Sequence, residues 1–333
     1  MAETFEVLRD HPVPTWFGIG GRAARFAAVH TTDDLRRALE LDAHLRVLGD
    51  GANLLVDDEG VDFLVVTMTR SSLGSADGEL PPGDLREISI DDASGLVRVG
   101  AGVNLPKLIT ECVRRGLEGI ETLAGIPATI GGALVMNAGG SFGQIADTVE
   151  RVFALDRAGK AVTLERAQIA FDYRSSGLNH LLVTGAELRL RPVSDQAALR
   201  ARLVEVMKYK KDSQPMSARS AGCAFKNPVV AGEARTRVPG LAPRGQRVSA
   251  GLLIDRAGLK GLRVGGAHVS DRHANFLVTD AGATARDVIT LMNEVSRRVR
   301  EAFGIELVRE VVVWSRHELE PHAPERSSPE PQA

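Results

Sequence analysis

Cysteine is scarce in this chain, and long apolar runs are missing from it. The 333 residues include two cysteines, Cys112 and Cys223, which are too few and too far apart for a disulfide framework or a cysteine-rich metal site. No window approaches the ~20 apolar residues that a membrane span needs. Residues 1–17 contain no apolar segment of signal-peptide length. We therefore expect a cytoplasmic protein that has no membrane partner.

The chain also carries little net charge. Its formal charge at pH 7 is −2, so it lacks the bulk basicity of a nucleic-acid binder, and we expect no nucleic-acid partner. With 44% hydrophobic and 25% charged residues, the composition is that of a soluble globular protein with room for two or three domains.

Glycine is concentrated in residues 119–140, a stretch with no Lys or Arg and one acid, Glu121. Pro127 fixes the path of the backbone, and the glycines let a large group approach the main chain. Such a sequence could form a cradle of backbone N–H groups for a phosphate-bearing cofactor. On its own, the stretch could equally be a buried packing corner. The glycines in question are Gly125, Gly131, Gly132, Gly139 and Gly140.

A second glycine turn strengthens the cofactor interpretation. The apolar run 45–48 predicts a strand that leads into Gly49-Asp-Gly-Ala-Asn53, where amide groups could point at one anion. The segment that follows is too short to be the helix of a dinucleotide-binding fingerprint. The Gly-x-Gly-x-x-Ala match within residues 14–29 lacks a preceding strand, because Pro12 and Pro14 interrupt the run.

These two stretches resemble the FAD-binding domain of vanillyl-alcohol-oxidase type flavoproteins. More narrowly, Gly125-Ile-Pro-Ala-Thr-Ile-Gly-Gly-Ala133 followed by Met136-Asn-Ala-Gly139 resembles the UDP-N-acetylenolpyruvoylglucosamine reductase family, whose opening signature matches residues 15–21. The resemblance implies FAD contacts at Gly49, Gly51, Ala52, Asn53, Leu54, Gly125, Ile126, Pro127, Thr129, Gly131, Gly132 and Ala133.

The same resemblance singles out three catalytic residues. Arg174 lies in a Tyr-Arg-x-Ser signature, and Cys223 occupies the position of the family's proton-donating serine in Ala-Gly-x-x-Phe-Lys-Asn-Pro. An unperturbed thiol has a pKa of about 8.5 and is mostly protonated at neutral pH, so it can still donate. Cys223 could instead only fill space. Glu310 matches the family's terminal motif, and the alternating pattern of residues 305–314 places this carboxylate in a strand that is apolar on both faces, which raises a pKa.

Substrate contacts are expected from basic residues and one amide. Lys210 and Lys211 could hold a diphosphate as point charges, although lysines at the end of a helix are equally consistent with a solvated surface. Lys226 and Asn227 belong to the second signature. His268 and His273 lack the further ligands that a metal site needs, so no metal is expected.

Hydrophobic periodicity predicts an α+β chain. Helices are predicted near 31–41, 105–116, 199–207, 250–261 and 283–303, and strands at 45–48, 61–68, 85–90, 96–100, 149–156, 161–164, 181–190 and 305–314. We assign residues 1–197 to a two-lobed FAD-binding domain that breaks near a loop at 70–84, and residues 198–316 to a smaller α/β substrate-binding domain. Residues 229–249 are predicted to form an exposed loop, and 317–333 a disordered tail.

The implied reaction is the NADPH-dependent reduction of UDP-N-acetylglucosamine enolpyruvate to UDP-N-acetylmuramate through bound FAD, catalysed by a monomer. Few residues separate Ser176 from the strand at 181, so the chain resembles the shorter (type II-like) branch of the family, which lacks an inserted substrate-contacting tyrosine. Two other functions stay open: a sugar or lactone oxidase on the same fold, which air would reoxidise rapidly, and an inactive flavin or nucleotide-sugar binding protein.

Overall fold

A computed structural model describes residues 5–69, 83–229 and 247–316. Its helices and strands form three lobes, which confirms the predicted α+β class. Within these ranges no helix is long and apolar enough to cross a membrane. Most of the loop predicted at 70–84, most of the loop predicted at 229–249, and the whole tail predicted at 317–333 lie outside the described residues.

The first lobe is a four-stranded sheet covered by one helix. In the order β1-β2-β5-β3, the first pair is antiparallel and the other two pairs are parallel. Helix α1 (Thr32–Leu41) begins at a capping box between Thr31 and Asp34 and buries Leu35 and Ala38. The strands of this lobe are β1 (Val7–Pro12), β2 (Arg22–Ala28), β3 (Arg46–Leu48), β4 (Leu54–Val56) and β5 (Val61–Thr67).

The second lobe is a five-stranded antiparallel sheet in the order β12-β11-β13-β7-β6. Helix α2 (Leu105–Arg115) ends at Gly116, whose φ of 77° is the left-handed conformation of a glycine C-cap, as predicted. The short helix α3 (Ile130–Val135) lies in the glycine-rich stretch. The strands are β6 (Ile88–Asp91), β7 (Leu96–Gly100), β8 (Leu117–Glu118), β9 (Gly139–Gly140), β10 (Gly143–Gln144), β11 (Val149–Leu155), β12 (Ala161–Glu165), β13 (Leu182–Arg189) and β14 (Arg191–Pro192).

Helix α4 (Gln196–Ser213) packs on the second lobe. Leu199 is part of the apolar core that the first two lobes share, and Leu203 packs against that core. The domain boundary near residue 198 therefore stays a prediction, and this packing favours a boundary after Ser213.

The third lobe has its own apolar core. Helix α6 (Ala285–Phe303) buries Val288, Leu291 and Val295 against the rest of the lobe. The helix ends at Gly304, again in the left-handed conformation. The other elements are α5 (Ala250–Arg256), β15 (Arg263–Val264), β16 (Ala267–Val269) and β17 (Leu277–Thr279).

The last strand returns to the first lobe. Strand β18 (Val312–Trp314) pairs in parallel with β4, residue for residue. The prediction that Glu310 lies in a strand apolar on both faces is wrong, because Val308 and Val312 are 51% and 39% exposed. Residues 305–311 form no continuous ladder and are held by an isolated bridge between Arg309 and Phe225, which leaves one side open to solvent.

Candidate active site

All three lobes contribute to one large cleft with a volume of about 2010 Å³. Arg174, Cys223 and Glu310 all line it, as do Lys210 and Asn227. The predicted cofactor residues on its wall are Gly49, Gly51, Ala52, Asn53, Leu54, Gly125, Ile126, Pro127, Thr129, Gly131 and Gly132. Ala133, Lys211 and Lys226 are not on the wall. Ala133 is buried behind it, where its N–H donates to the Thr129 carbonyl.

The loop between β3 and β4 is built around close backbone contacts. Gly51 has a φ of 66°, and a Cβ there would lie 2.3 Å from the carbonyl oxygen of Pro14, so only glycine fits. The Asn53 side chain donates to the Glu310 carbonyl at 3.1 Å, and this bond ties the loop to the C-terminal segment. Among the described residues, the N–H of Ala52 has no hydrogen-bond acceptor, so it is available to a ligand.

The glycine-rich stretch contributes shape to the cleft but few free donors. Thr129 caps α3 by accepting from the Gly132 N–H at 3.1 Å. The N–H groups of Ile130 and Gly131 donate to the carbonyls of Val103 and Ala101, at 2.9 and 2.8 Å. The predicted cradle of N–H groups is therefore wrong at these positions, because core carbonyls take the donors. Within the described ranges the Gly125 N–H has no acceptor.

These features fit a large phosphate-bearing cofactor. The cleft is long, its glycines permit close approach to the backbone, and the orphan N–H groups of Ala52 and Gly125 both lie on its wall. Backbone donors of this kind are suited to phosphate and ring-carbonyl oxygens. No group of three His, Cys, Asp or Glu side chains that could hold a metal ion occurs within residues 5–69, 83–229 and 247–316.

Arg174 is held in an unusual backbone conformation. Its φ of 54° is left-handed, which is rare for a residue with a side chain and is typical of a functional turn. Asp172 and Ser175 form a backbone bridge across the turn. The buried Asn137 side chain donates to the Asp172 carbonyl at 2.9 Å. The end of the glycine-rich stretch thus holds the turn that carries Arg174.

Arg174 and Glu310 form an ion pair at the cleft wall. The guanidinium Nε donates to the Glu310 carboxylate at 2.6 Å, and the two side chains are 21% and 12% exposed. Burial raises the pKa of Glu310 despite the opposing effect of Arg174. The backbone N–H of Glu310 donates to the Ala224 carbonyl at 2.8 Å, so the carboxylate is anchored beside Cys223.

The thiol of Cys223 is far less acidic than an exposed thiol. Burial, followed by the nearby Glu310 carboxylate, raises the pKa of Cys223 to about 12. From the sequence alone, only the unperturbed thiol pKa of about 8.5 could be assigned to Cys223. At neutral pH the residue is therefore a protonated thiol, which is a hydrogen donor and not a nucleophile.

We expect iodoacetamide to alkylate Cys223 slowly at neutral pH, because only the thiolate attacks. In a Cys112→Ala variant, which removes the other thiol, the rate should keep rising up to about pH 10 without levelling off. A rate that is half-maximal near pH 8.5 and level by about pH 10 would show an ordinary thiol pKa and contradict the burial argument. Cys112 is a suitable deletion because it lies in the core, away from the cleft, and burial raises its pKa to about 12 as well.

Asn275 is a buried polar residue that the sequence interpretation missed. Its side chain accepts from the Phe225 N–H at 3.0 Å and donates to the Phe225 carbonyl at 2.8 Å. Its backbone carbonyl accepts from the Ala224 N–H at 2.7 Å. The amide therefore clamps the segment that carries Cys223. The one available signal was a polar residue between alanine and phenylalanine in an otherwise apolar run.

Replacing Asn275 by leucine should lower the free energy of unfolding by about 2–6 kcal/mol, since two buried backbone groups would each lose a partner worth about 1–3 kcal/mol. Urea unfolding would measure the change. Thr290→Leu, at an exposed position on α6, is the control and should stay within about 0.5 kcal/mol of the parent chain. Equal stability of the two variants would show that the clamp is not needed.

Of the three lysines of α4, one faces the cleft and two face the solvent. Lys210 is buried and lines the cleft, whereas Lys211, one residue further along the helix, is exposed. Lys208 is exposed as well and pairs with Asp212 at 3.0 Å. Lys226 is close enough to Glu310 to oppose the rise in its pKa, but it does not line the cleft.

Asn227 contacts two residues, Tyr173 and Arg247, that the sequence interpretation did not assign to the site. Its N–H donates to the Tyr173 hydroxyl at 3.2 Å, and its carbonyl accepts from Arg247 at 3.2 Å. The Arg247 guanidinium lies 4.2 Å from the centre of the Tyr173 ring. Tyr173 and Arg247 both line the cleft beside Arg174.

Two protein-family models match the chain. Residues 23–165 match an FAD binding domain, and residues 214–314 match the C-terminal domain of UDP-N-acetylenolpyruvoylglucosamine reductase.

Curated relatives and a solved structure agree with these matches. The UDP-N-acetylenolpyruvoylglucosamine reductase of Thermus thermophilus is 41% identical over 309 residues, covering 92% of this chain and 97% of the relative. That of Syntrophobacter fumaroxidans is 38% identical over 306 residues, covering 90% of this chain and 81% of the relative. The crystal structure of the reductase from Thermus caldophilus superposes with a TM-score of 0.71 at 38% identity, covering 93% of this chain and 98% of that one.

Proposed function

The chain belongs to the UDP-N-acetylenolpyruvoylglucosamine reductase family, and on that premise we propose that Arg174, Cys223 and Glu310 perform the family's reaction in the cleft. The chain is an FAD-dependent oxidoreductase that reduces UDP-N-acetylglucosamine enolpyruvate to UDP-N-acetylmuramate with NADPH, a step of peptidoglycan precursor synthesis. The observation that supports the residue roles is the convergence of these three side chains, from distant segments, on one cleft wall.

Bound FAD supplies the hydride chemistry, because it can take a hydride from NADPH and deliver it to the distal carbon of the enolpyruvyl double bond. The electron pair of that double bond then moves onto the carbon next to the carboxylate. Cys223 is proposed to give its S–H proton to this carbon, which completes the saturated lactyl ether. The protonated state of Cys223 suits this role, and solvent returns the proton afterwards.

Arg174 and Glu310 are proposed to bind the substrate carboxylate as negative charge spreads onto it. Arg174 can donate two parallel hydrogen bonds to a carboxylate. Glu310, whose pKa burial raises, can be protonated and act as a further donor. Both groups are already anchored in the free protein, so little reorganisation is needed when charge develops.

The remaining substrate contacts are also proposals. Asn227 lines the cleft and is suited to a polar group of the UDP-sugar. Lys226 does not line the cleft and acts on it only through its positive charge, which opposes the rise in the pKa of Glu310. The cofactor wall is proposed to comprise the residues of 49–54 and 125–132 named above. We further propose that the chain works as a monomer in the cytoplasm, which sedimentation of the purified protein and cell fractionation would test.

Flavin absorbance provides the test of the whole assignment. The purified protein should be yellow, NADPH should bleach it in the absence of oxygen, and the enolpyruvyl UDP-sugar should then restore the colour with formation of UDP-N-acetylmuramate. A polyol that bleaches the flavin, followed by rapid recovery in air, would indicate an oxidase instead. Binding of the UDP-sugar without any bleaching by NADPH would indicate an inactive binding protein.

A further inference from the structure

Lys210 is a buried cation that has no bonding partner in the described part of the chain. Its side chain lies in the wall of the cleft, and the residue is only 8% exposed. No carboxylate or carbonyl within residues 5–69, 83–229 and 247–316 accepts a hydrogen bond from it. Burying an ammonium group without a partner is costly, so the position implies an anion that the protein does not itself provide.

The location of Lys210 narrows the choice of that anion. Its stem lies against Gly125, where a Cβ would be 2.9 Å from the Lys210 Cδ, and the φ of Gly125 is 74°. Gly125 opens the segment that is proposed to contact the cofactor, and its N–H has no acceptor in the described ranges. Lys210 therefore stands beside Gly125 in the wall where the flavin is proposed to bind.

The charges around Lys210 also favour the binding of an anion next to it. Burial, and then the positive charge of Arg174, lower the pKa of Lys210 to about 8. Arg174 already has the Glu310 carboxylate as its counter-ion, whereas Lys210 has none. Lys210 therefore adds to the cleft wall a positive charge that no carboxylate of the described residues pairs with, and a further negative charge is favoured there.

We propose that the Lys210 ammonium offsets the negative charge that the flavin ring gains when it accepts a hydride, and so raises the reduction potential of the bound cofactor. The inference rests on the proposed function, since it requires FAD in this cleft. A hydride carries two electrons and one proton to a neutral ring, so the product bears one extra negative charge. A fixed cation next to that charge favours the reduced state.

The reduction potential of the bound flavin, measured without the UDP-sugar, tests this role. In holoenzyme equilibrated with a reference dye, Lys210→Met should lower the ratio of reduced to oxidised flavin at a given potential by about 10- to 100-fold, or about 30–60 mV for two electrons. Lys210→Arg should retain most of the parent potential because it keeps the charge. Lys208→Met, on the exposed side of the same helix, is the matched control and should change nothing.

The other outcomes are equally clear. If Lys210→Met has the parent potential but a raised KM for the UDP-sugar, the ammonium serves the diphosphate of the substrate and the proposal is wrong. If the potential falls as expected but the UDP-sugar never reoxidises the flavin in the parent enzyme, the proposed reaction fails while the role of Lys210 stands. FAD content and melting temperature show whether each variant is folded.

Discussion

Cys223→Ala is expected to reduce the flavin with NADPH at the parent rate but to reoxidise it with the enolpyruvyl UDP-sugar about 10²–10⁴-fold more slowly, the usual contribution of a positioned general acid. The variant loses only the S–H donor at the cleft wall. Rapid-mixing measurements of flavin absorbance resolve the two half-reactions, so the defect can be assigned to the second one.

Two companion variants make the result specific. Cys223→Ser should recover most of the lost rate, because a hydroxyl of similar size can also donate a proton. Cys112→Ala, which removes the core thiol, should leave both half-reactions unchanged. Full turnover by Cys223→Ala would mean that water protonates the substrate and that the thiol only fills space.

Arg174→Met should slow the second half-reaction, the reoxidation of the flavin by the enolpyruvyl UDP-sugar, by about 10²–10³-fold. This is the typical loss of rate when one preorganised donor to a developing oxyanion is removed. The guanidinium is held by a left-handed turn and by a 2.6 Å bond to Glu310, so it is already in place when charge develops on the substrate. Its loss also leaves the Glu310 carboxylate buried without its partner, which raises the pKa of Glu310 further. The affinity for NADPH is not expected to change.

Arg174→Lys keeps the charge but loses the planar pair of donors, so its rate in the second half-reaction should lie between those of the parent enzyme and Arg174→Met. Glu310→Gln distinguishes the two possible roles of the carboxyl group. If Glu310 acts as a neutral donor, the amide should retain far more activity than Glu310→Leu. Equal activity of Arg174→Met and the parent enzyme would remove Arg174 from the mechanism.

Most helices of the fold could be predicted from local signals, but several strands could not. Pro12 led to the wrong expectation that no strand precedes residues 14–29, whereas β1 ends at Pro12 and lies on the edge of its sheet, where proline is tolerated. Strands β2 and β15–β17 were not predicted either. Helix α2 carries its apolar stripe and its Gly116 cap within a dozen residues, and the structure reproduces it. The segment 305–314 shows equally good alternation, yet only Val312–Trp314 pairs with another strand. Whether an alternating run finds a partner depends on the rest of the chain, which no local pattern contains.

The residues of the site also differ in whether the local sequence could predict their roles. Arg174 and Glu310 are 136 residues apart, and only the family resemblance suggested that they meet. Lys210 and Lys211 look equivalent in the sequence, but a helix turns by about 100° per residue, so one points into the cleft and the other into solvent. Asn275 was missed because its role is to satisfy the backbone of a segment about 50 residues away.

The parallel pairing of β18 with β4 has a consequence for how the protein is made. On the ribosome, the turn at residues 49–53 emerges long before Trp314, so it receives its neighbouring strand and its bonds to Glu310 and Val312 only after those later residues have been made. Uptake of the vitamin-derived prosthetic group is thereby tied to synthesis of the chain as far as β18. A proteolytic nick between α6 and β18 would loosen that group although the large fragment would retain every residue proposed to touch it.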